Sequence, residues 1–510
     1  MASVEVRACV RRAHHTIHAA TLAWVCGLAA CGNADHPTAA PTDAGTDVQV
    51  EVAPPPPPQP RKGNPDAIFV DGRVLRDGRG RQVLFRGYNT KINGIFDVTF
   101  SDGRTPNYTF PDFDEAGATR FEQLGFNVTR LTINWSALEP TPGAYSASFF
   151  TKLDALFDMA RRHHFHVLLD MHQDAYSKEI GEDGQPLWAI TPPPPMLLSG
   201  PSDDSRRESA PVINAFLSFF GNQNAQDGRP VQDAYAAAIV QMLNKHVGEP
   251  LIIGVEAMNE PVAFNLVDLF NFHTKIADAV HSVDGDLPLF FEPNGTRNQW
   301  DTAATDGAPW VNGPGVYAPH IYTAIFSIPD QMGWASEDPT VLAPSMQKAD
   351  AEAAAWTTPM FVTEFGCDQT VDRGPMWLAA EYDLQDKYMV SSTVWGWEPG
   401  SWSIRPDAGV AGRPATVKVV SRPYPRAIAG DLLQIERPAL GQLRIHYRPT
   451  ARTMGLPHEI SASADYFTDV HVKCDGVDTP YTPYVGRLEV VCPATDSAEH
   501  LIDVVGTPTP

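Results

Sequence analysis

Positive charge is scarce in this chain. Its 510 residues carry 38 Lys and Arg against 61 Asp and Glu, a formal net charge of −23. No basic run occurs beyond the first dozen residues. A nucleic-acid partner is thereby excluded, because phosphates require a positive surface; a neutral or amphiphilic ligand is not. Long apolar runs are missing too. The run from Thr21 to Ala30 is too short to span a bilayer as a helix, and no other stretch qualifies. Cysteines number six, at spacings that resemble no zinc pattern, so no metal is expected. No glycine-rich phosphate loop follows the first apolar run, which removes the usual mark of a doubly wound nucleotide-binding sheet. No cofactor is expected.

What is present divides the chain into four parts. Arg7, Arg11 and Arg12 precede the apolar run, which ends in Leu28-Ala29-Ala30-Cys31-Gly32. That ending resembles a bacterial lipobox, so residues 1–31 are expected to be a lipoprotein signal with Cys31 as the lipidated residue. Ordinary signal cleavage with Cys31 as a bystander is the alternative. Either way the protein is expected to be exported: lipid-anchored to the cell envelope, at an outer membrane, or secreted. Cys9 and Cys26 would leave with the signal. Cys474 and Cys492 flank a strand-turn-strand segment and are the plausible disulfide. Residues 32–66 are Ala/Thr/Asp/Pro-rich, with Pro54 to Pro58 in a row, and read as an extended tether.

From 67 to 421 short apolar runs alternate with amphipathic stretches. The runs are 83–88, 126–133, 166–171, 251–258, 288–292, 316–321, 360–365 and 392–397; helical periodicity occupies 147–164, 231–247, 263–283 and 372–389. Eight strands alternating with helices predict an α/β fold, a (β/α)8 TIM barrel. Residues 422–510 change texture, with short alternating runs between Gly, Pro and Asp, and predict a small C-terminal antiparallel β-sandwich. A monomer is expected.

Catalysis in such a barrel sits at the C-terminal ends of its strands. Polar residues gather there: Arg130, His172, Asp174, Asn259, Glu260, His320, Tyr322, Glu364 and Trp395. Asn259-Glu260-Pro261 ends the fourth strand and Glu364-Phe365-Gly366 the seventh. Two carboxylates facing each other across a barrel mouth are what glycosidic cleavage requires: one protonated to assist the leaving oxygen, the other ionised to attack the anomeric carbon.

On these motifs residues 83–426 resemble glycoside hydrolase family five, in the clan with its acid/base on strand four and its nucleophile on strand seven. The resemblance implies that Glu260 is the acid/base and Glu364 the nucleophile of a retaining hydrolase. It implies further that Arg130 lies near the nucleophile, that His320 and Tyr322 form a His-x-Tyr whose tyrosine hydrogen-bonds it, and that Trp395 is an aromatic platform. More narrowly, the run from Leu169 to Ser177, Trp188, the run Phe291-Glu292-Pro293-Asn294-Gly295 and the run from Arg422 to Ala427 resemble the endoglycoceramidase branch. Members cut the bond between an oligosaccharide, or a galactose, and ceramide. A glycolipid or oligosaccharide substrate is implied, with Lys91, His172, Asp174, Trp188 and Asn259 as sugar-binding residues. The first-strand region departs from the branch, which leaves glucose against galactose preference open.

Other readings stand beside this one. Glu292 ends the fifth strand, where the clan has no catalytic acid, and reads as a hydrogen-bonding support, with a proton donor as the alternative. Alternation puts Glu256 on the face of Glu260 as a buried or paired charge. His163, His164 and His166 straddle a helix end and a strand start, so their side chains should diverge. Cys367 reads as a packed thiol. The insertion 190–230 is either an apolar flap for a lipid chain or a helix whose Phe216, Phe219 and Phe220 face the core. In function, an endo-glycanase acting on β-linked polysaccharide and a surface carbohydrate-binding protein without activity are the alternatives.

Overall fold

The computed structural model describes residues 61, 63–201, 204–301, 313–323, 339–406, 408, 409, 412–494 and 496–509. Cys31, the signal and the tether up to residue 60 lie outside them. No helix among the described residues is long and apolar enough to cross a membrane.

The chain enters through three short strands, β1 (Ile68–Asp71), β2 (Val74–Asp77) and β3 (Gln82–Val83). The barrel follows: β4 (Arg86–Thr90), β5 (Val128–Ile133), β6 (His166–Met171), β7 (Ile252–Glu256), β8 (Leu289–Phe291), β9 (Gly315–Tyr317), β10 (His320–Ile321), β11 (Phe361–Phe365) and β12 (Ser391–Val394). All pair in parallel in the order β10-β11-β12-β4-β5-β6-β7-β8-β9. The sixth barrel strand is split into β9 and β10 at Ala318-Pro319, where proline has no N–H for the ladder. Its first half bridges Tyr317 to Met360 and its second pairs His320 with Glu364, which closes the ring. The expected (β/α)8 barrel is thus present.

The helices outside the ring follow from sequence periodicity. In Ala147–His163 the buried residues Phe149, Phe150, Leu153, Leu156, Phe157 and Ala160 recur at helical spacing; Ser146 caps the start by accepting from the Phe149 N–H, and His164 ends it in the left-handed conformation. Such faces close a core between helices and strands. The aromatic residues of the 190–230 insertion belong to it. Phe216, Phe219 and Phe220 on helix Ala210–Phe220 are 2%, 0% and 6% exposed, so this face is core and no lipid flap.

Two boundaries differ from the sequence expectation. Arg61, expected in the tether, is buried and donates to the carbonyls of Glu249 and Ile252 beside Asp284, at the foot of β7. The tether therefore ends before the chain reaches residue 61. Strands β1 to β3, expected to open the catalytic domain, belong to the C-terminal sheet. They continue it in the order β1-β2-β3-β13-β16-β20-β19, with β13 (Pro425–Ile428), β16 (His458–Ser461), β19 (Tyr481–Tyr484) and β20 (Arg487–Val490). Apolar side chains explain this. Ile68, Leu75, Val83 and Ala427 pack with Phe85, Val128, Leu168, Ile253, Phe290, Val316 and Phe361, the lowest inward layer of the barrel, and form its floor. A second sheet, β14 (Asp431–Glu436), β15 (Gln442–Arg448), β21 (His500–Pro508), β17 (Phe467–Cys474) and β18 (Val477–Asp478), completes the antiparallel sandwich. Cys474 and Cys492 are joined by a disulfide.

Asp386, on barrel helix Gly374–Tyr388, ties barrel to sandwich. Its carboxylate takes Arg86 of β4 at 2.5 Å, Arg437 beyond β14 at 2.6 Å and Arg422 of the connecting segment at 3.4 Å. Arg86 also lies over the rings of Tyr382 and Tyr424. Burial pushes the Asp386 carboxyl up, but the three arginines outweigh it and hold it well below the usual range. Removing the carboxylate strands three buried cations, so Asp386→Ala should lower unfolding stability by about 3–5 kcal/mol. The native pKa is depressed, so this contribution is complete above the unfolded value near 4 and is lost as pH falls below it. Urea titrations across pH 3–7 should show the gap between wild type and variant constant on the neutral side and shrinking on the acid side.

Candidate active site

At the centre of the barrel mouth lies one cation, Arg130 of β5. It is fully buried, and its guanidinium serves the nucleophile candidate Glu364 and the neighbours of Glu260. Nε donates to Glu256 at 2.5 Å, Nη1 to Glu364 at 2.5 Å and to Asn89 at 2.7 Å, and Nη2 to Asn259 at 2.8 Å. Asp170 lies 3.1 Å away and Glu292 3.5 Å. Burial works against the charge, but Asp170, Glu256, Glu364 and Glu292 outweigh it and hold the guanidinium well above its ordinary pKa. A charged residue inside an apolar strand can be tolerated only where such partners converge.

Glu364 ends β11. Its second oxygen accepts the Tyr322 hydroxyl at 2.9 Å and lies 3.4 Å from His320 Nδ1. Burial, with the charges of Glu364 and Glu260, pushes the Tyr322 phenol well above its ordinary value, so it acts as a donor. The glycine of the Glu364-Phe365-Gly366 motif has a steric reason. A Cβ at Gly366 would stand 2.8 Å from the Trp395 carbonyl, where strands seven and eight leave the barrel.

Glu260 follows β7 with φ of +40°, in the left-handed region. Such a conformation costs about 1–3 kcal/mol and persists only where the surroundings fix it. Here Gln173 Nε2 donates to the carbonyls of Asn259 and Glu260, while Glu292 Oε2 accepts the Glu260 N–H at 3.1 Å. The carboxylate faces His320 Nδ1 at 3.0 Å and Asn298 Nδ2 at 3.4 Å. Ligand atoms of Glu260, His320 and Glu364 all lie within 4.8 Å of one another, so the two carboxylates face each other across a narrow gap. Retaining glycosidases hold theirs roughly 5–5.5 Å apart. Burial pushes the Glu260 carboxyl up, but the His320 contact outweighs it and holds the group below its usual value. Burial likewise opposes charge on His320, but Glu292, Glu364 and Glu260 hold the ring well above its ordinary pKa.

To one side opens a polar recess. Lys91 reaches Glu398 at 3.9 Å and stands over the rings of Trp395, Phe96 and Tyr108. The half-buried Trp395 stacks on His172 with centroids 5.3 Å apart. His172 donates to Asp170 at 2.6 Å through Nδ1 and turns Nε2 toward Asp174. Burial pushes the Asp174 carboxyl up, but Arg207 of the 190–230 insertion, 2.9 Å away, His172 and Lys91 outweigh it and hold it well below the usual range. Asp183 is pushed up to about 8 by burial and by Asp174. His172, Asp174 and Asp183 bring ligand atoms within 4.8 Å, as a cation site would. With Lys91 and Arg207 adding positive charge there, the set suits sugar hydroxyls better than a metal.

Arg130, His172, Asp174, Asn259, Glu260, His320, Tyr322, Glu364, Lys91 and Trp395 are thus gathered at one mouth. Trp188 is the exception. It is 8% exposed, its indole N–H is given to the Glu139 carbonyl, and Trp135 and Arg229 cover its ring. A core role replaces the expected sugar contact, because neither face nor N–H is left to offer. His163 turns to Glu115 and Glu122 while His166 turns to the Asp66 carbonyl, so these two histidines diverge. The buried Cys367 contacts the Gly374 carbonyl and Gln369. Sequence reasoning missed Asn89, Asp170, Asp183, Asn298, Arg207 and Glu398. For Asp170 a signal existed: an acid within an otherwise apolar strand.

Residues 77–401 match the family described as Cellulase (glycosyl hydrolase family 5). Endoglycoceramidase I of Rhodococcus hoagii (strain 103S) is 26% identical over 445 residues, covering 82% of this chain and 85% of that protein. Endo-glycoceramidase II from Rhodococcus sp. superposes with a TM-score of 0.68 in its ganglioside GM3 complex and 0.67 as its lactosyl-enzyme intermediate. Each is 23% identical and covers 86% of this chain and 100% of that one. An endogalactoceramidase gives a TM-score of 0.67 at 21% identity, covering 86% of this chain and 99% of that one. The family match spans more than half of the 510 residues and takes in both mouth glutamates, so the chain belongs to glycosyl hydrolase family 5 and is a glycosidase.

Proposed function

We propose that this glycosidase cleaves the bond between glycan and ceramide in glycosphingolipids by double displacement. The observation that carries the reading is the asymmetry of the mouth around two carboxylates within 4.8 Å. The recess of Lys91, His172, Asp174 and Trp395 offers charged and polar groups with one flat ring, the partners a sugar needs. The chain just past the acid/base is apolar and open to solvent: Val262, Phe264 and Val267 are 38%, 43% and 64% exposed. A leaving group protonated by Glu260 departs on that side. Each ceramide methylene buried there would contribute about 0.8 kcal/mol. Three or four would favour a lipid over a polysaccharide continuation by a few kcal/mol. The similarity over most of its length to an endoglycoceramidase supports the same substrate.

In the first step Glu364 attacks the anomeric carbon while Glu260 gives its proton to the departing oxygen. Arg130 supplies counter-charge to Glu364, and Tyr322 donates to its other oxygen. In the second step Glu260 takes a proton from water, which attacks the same carbon and releases the glycan with its anomeric configuration retained. We also propose that the lipobox-like Leu28-Ala29-Ala30-Cys31-Gly32 anchors the exported enzyme through Cys31.

The following measurements test these readings. Glu364→Gln should reduce turnover of every substrate at least about 1000-fold while substrate still binds, whereas Glu260→Ala should spare the glycosylation step of an aryl glycoside whose leaving group needs no proton and slow the hydrolysis of the intermediate. Release of an inverted anomer would refute double displacement. With glycosphingolipid in detergent, the protein should release intact glycan and ceramide and cut cellohexaose poorly. Phe264→Ser with Val267→Ser should raise KM for the lipid several-fold more than for a short aryl glycoside; faster cleavage of cellohexaose than of any ceramide glycoside overturns the substrate. Mass spectrometry of the mature N-terminus should find diacylglycerol on Cys31, and an unmodified start elsewhere rejects the anchor.

A further inference from the structure

Acid catalysis by Glu260 raises a difficulty that the geometry itself answers. The group must deliver a proton, yet His320 beside it holds its carboxyl below the usual value. In the resting site the mobile proton therefore lies on His320 Nδ1, 3.0 Å from Glu260 Oε1. The far nitrogen of the same ring, Nε2, faces Glu292 Oε1 at 3.2 Å. The other oxygen of Glu292 accepts the Glu260 N–H at 3.1 Å. One fully buried carboxyl group thus touches the acid/base residue twice: directly at its backbone, and through an imidazole at its side chain.

We propose that Glu292 is a positioning residue for acid catalysis, which acts through His320 to load and unload the proton that Glu260 delivers to the leaving oxygen. This inference rests on the double-displacement reading. In the forward sense the Nδ1–H bond of His320 breaks as an O–H bond forms on Glu260. Glu260 then passes that proton to the glycosidic oxygen as its bond to the anomeric carbon breaks. His320 is left neutral, with its remaining proton on Nε2, which faces Glu292. In the second step Glu260 removes a proton from the attacking water and returns it to Nδ1. Protons balance over the cycle, and no external acid is consumed.

The groups around Glu292 suit it to this work. His320 and Arg130 face its carboxyl with positive charge, Glu256 with negative charge, and His273 donates from Nε2 to its main-chain carbonyl. His273 stays neutral, because burial pushes it down to about 4. Burial, aided by the Glu256 charge, pushes the Glu292 carboxyl well above its ordinary value against His320 and Arg130. The Nε2 side of the ring therefore faces a buried carboxyl group and not solvent.

Glu292→Gln separates this role from mere support. Its amide oxygen can still accept the Glu260 N–H, which keeps the backbone in place. Its NH2 group would then face Nε2, which keeps that nitrogen unprotonated and leaves the sole ring proton on Nδ1, where neutral imidazole gives it up poorly. A glycoside with a poor leaving group, such as a ceramide or alkyl glycoside, should lose about 100-fold in kcat/KM, the lower end of what general acid catalysis contributes. The basic limb of its pH profile should move to lower pH by at least one unit, because the titratable carboxyl group facing Nε2 has gone. A dinitrophenyl glycoside, which needs no proton, should be glycosylated within about 3-fold of wild type. Active-site titration with a dinitrophenyl 2-deoxy-2-fluoroglycoside counts competent sites, so misfolded protein does not enter the rates. Equal slowing of both substrates per competent site, with the basic limb unmoved, overturns the role of Glu292 while leaving double displacement standing. Failure of wild type to form the fluoroglycosyl-enzyme overturns the mechanism beneath it.

Discussion

The site depends on one guanidinium. A barrel mouth that carries Asp170, Glu256, Glu292 and Glu364 in its walls would otherwise hold several negative charges out of water, each carrying a desolvation cost of several kcal/mol. Arg130 meets all four and donates to Asn89 and Asn259 as well. Five N–H donors in a rigid plane allow this, and a lysine could not span so many directions. Because one planar group on β5 orients side chains of β4, β6, β7 and β11 together, the geometry of the mouth is set by the barrel and not by its loops.

Around that centre the charges alternate. His320 takes up negative charge from three glutamates, and His172 does so for Asp170 and Asp174 on the sugar side. Each imidazole bridges a buried carboxylate and one nearer the opening. The chain has little positive charge overall, and much of what reaches the mouth is spent there. Glu260 shows the local counterpart in backbone conformation: a left-handed residue clamped by Gln173 on its carbonyl side and Glu292 on its N–H side.

Much of this was legible in the sequence. Asn259-Glu260-Pro261 and Glu364-Phe365-Gly366 stand at strand ends where packing asks for no charge, and alternation within β7 placed Glu256 on the inner face. The barrel itself followed from strands and helices repeating in order. Other features were hidden because their partners lie far away in the chain. Nothing near Lys91 announces Glu398, and nothing near Asp174 announces Arg207 in an insertion that read as apolar. Trp188 matched a motif, but its indole is committed to Glu139, Trp135 and Arg229, contacts that no local pattern encodes. The 190–230 insertion showed the limit of periodicity: a helical row of phenylalanines reads alike whether it faces solvent lipid or its own core.

The floor of the barrel has a consequence for how the molecule can be divided. It is laid by strands from both ends of the folded chain, with β3 paired to β13 and their side chains filling the lowest layer. A chain cut after residue 421 would leave that layer wet and the edge of β3 open, inviting association with other strands. The sandwich is therefore no removable appendage. Barrel and sandwich must mature together, and the last strands to emerge during synthesis decide when the first ones find their place.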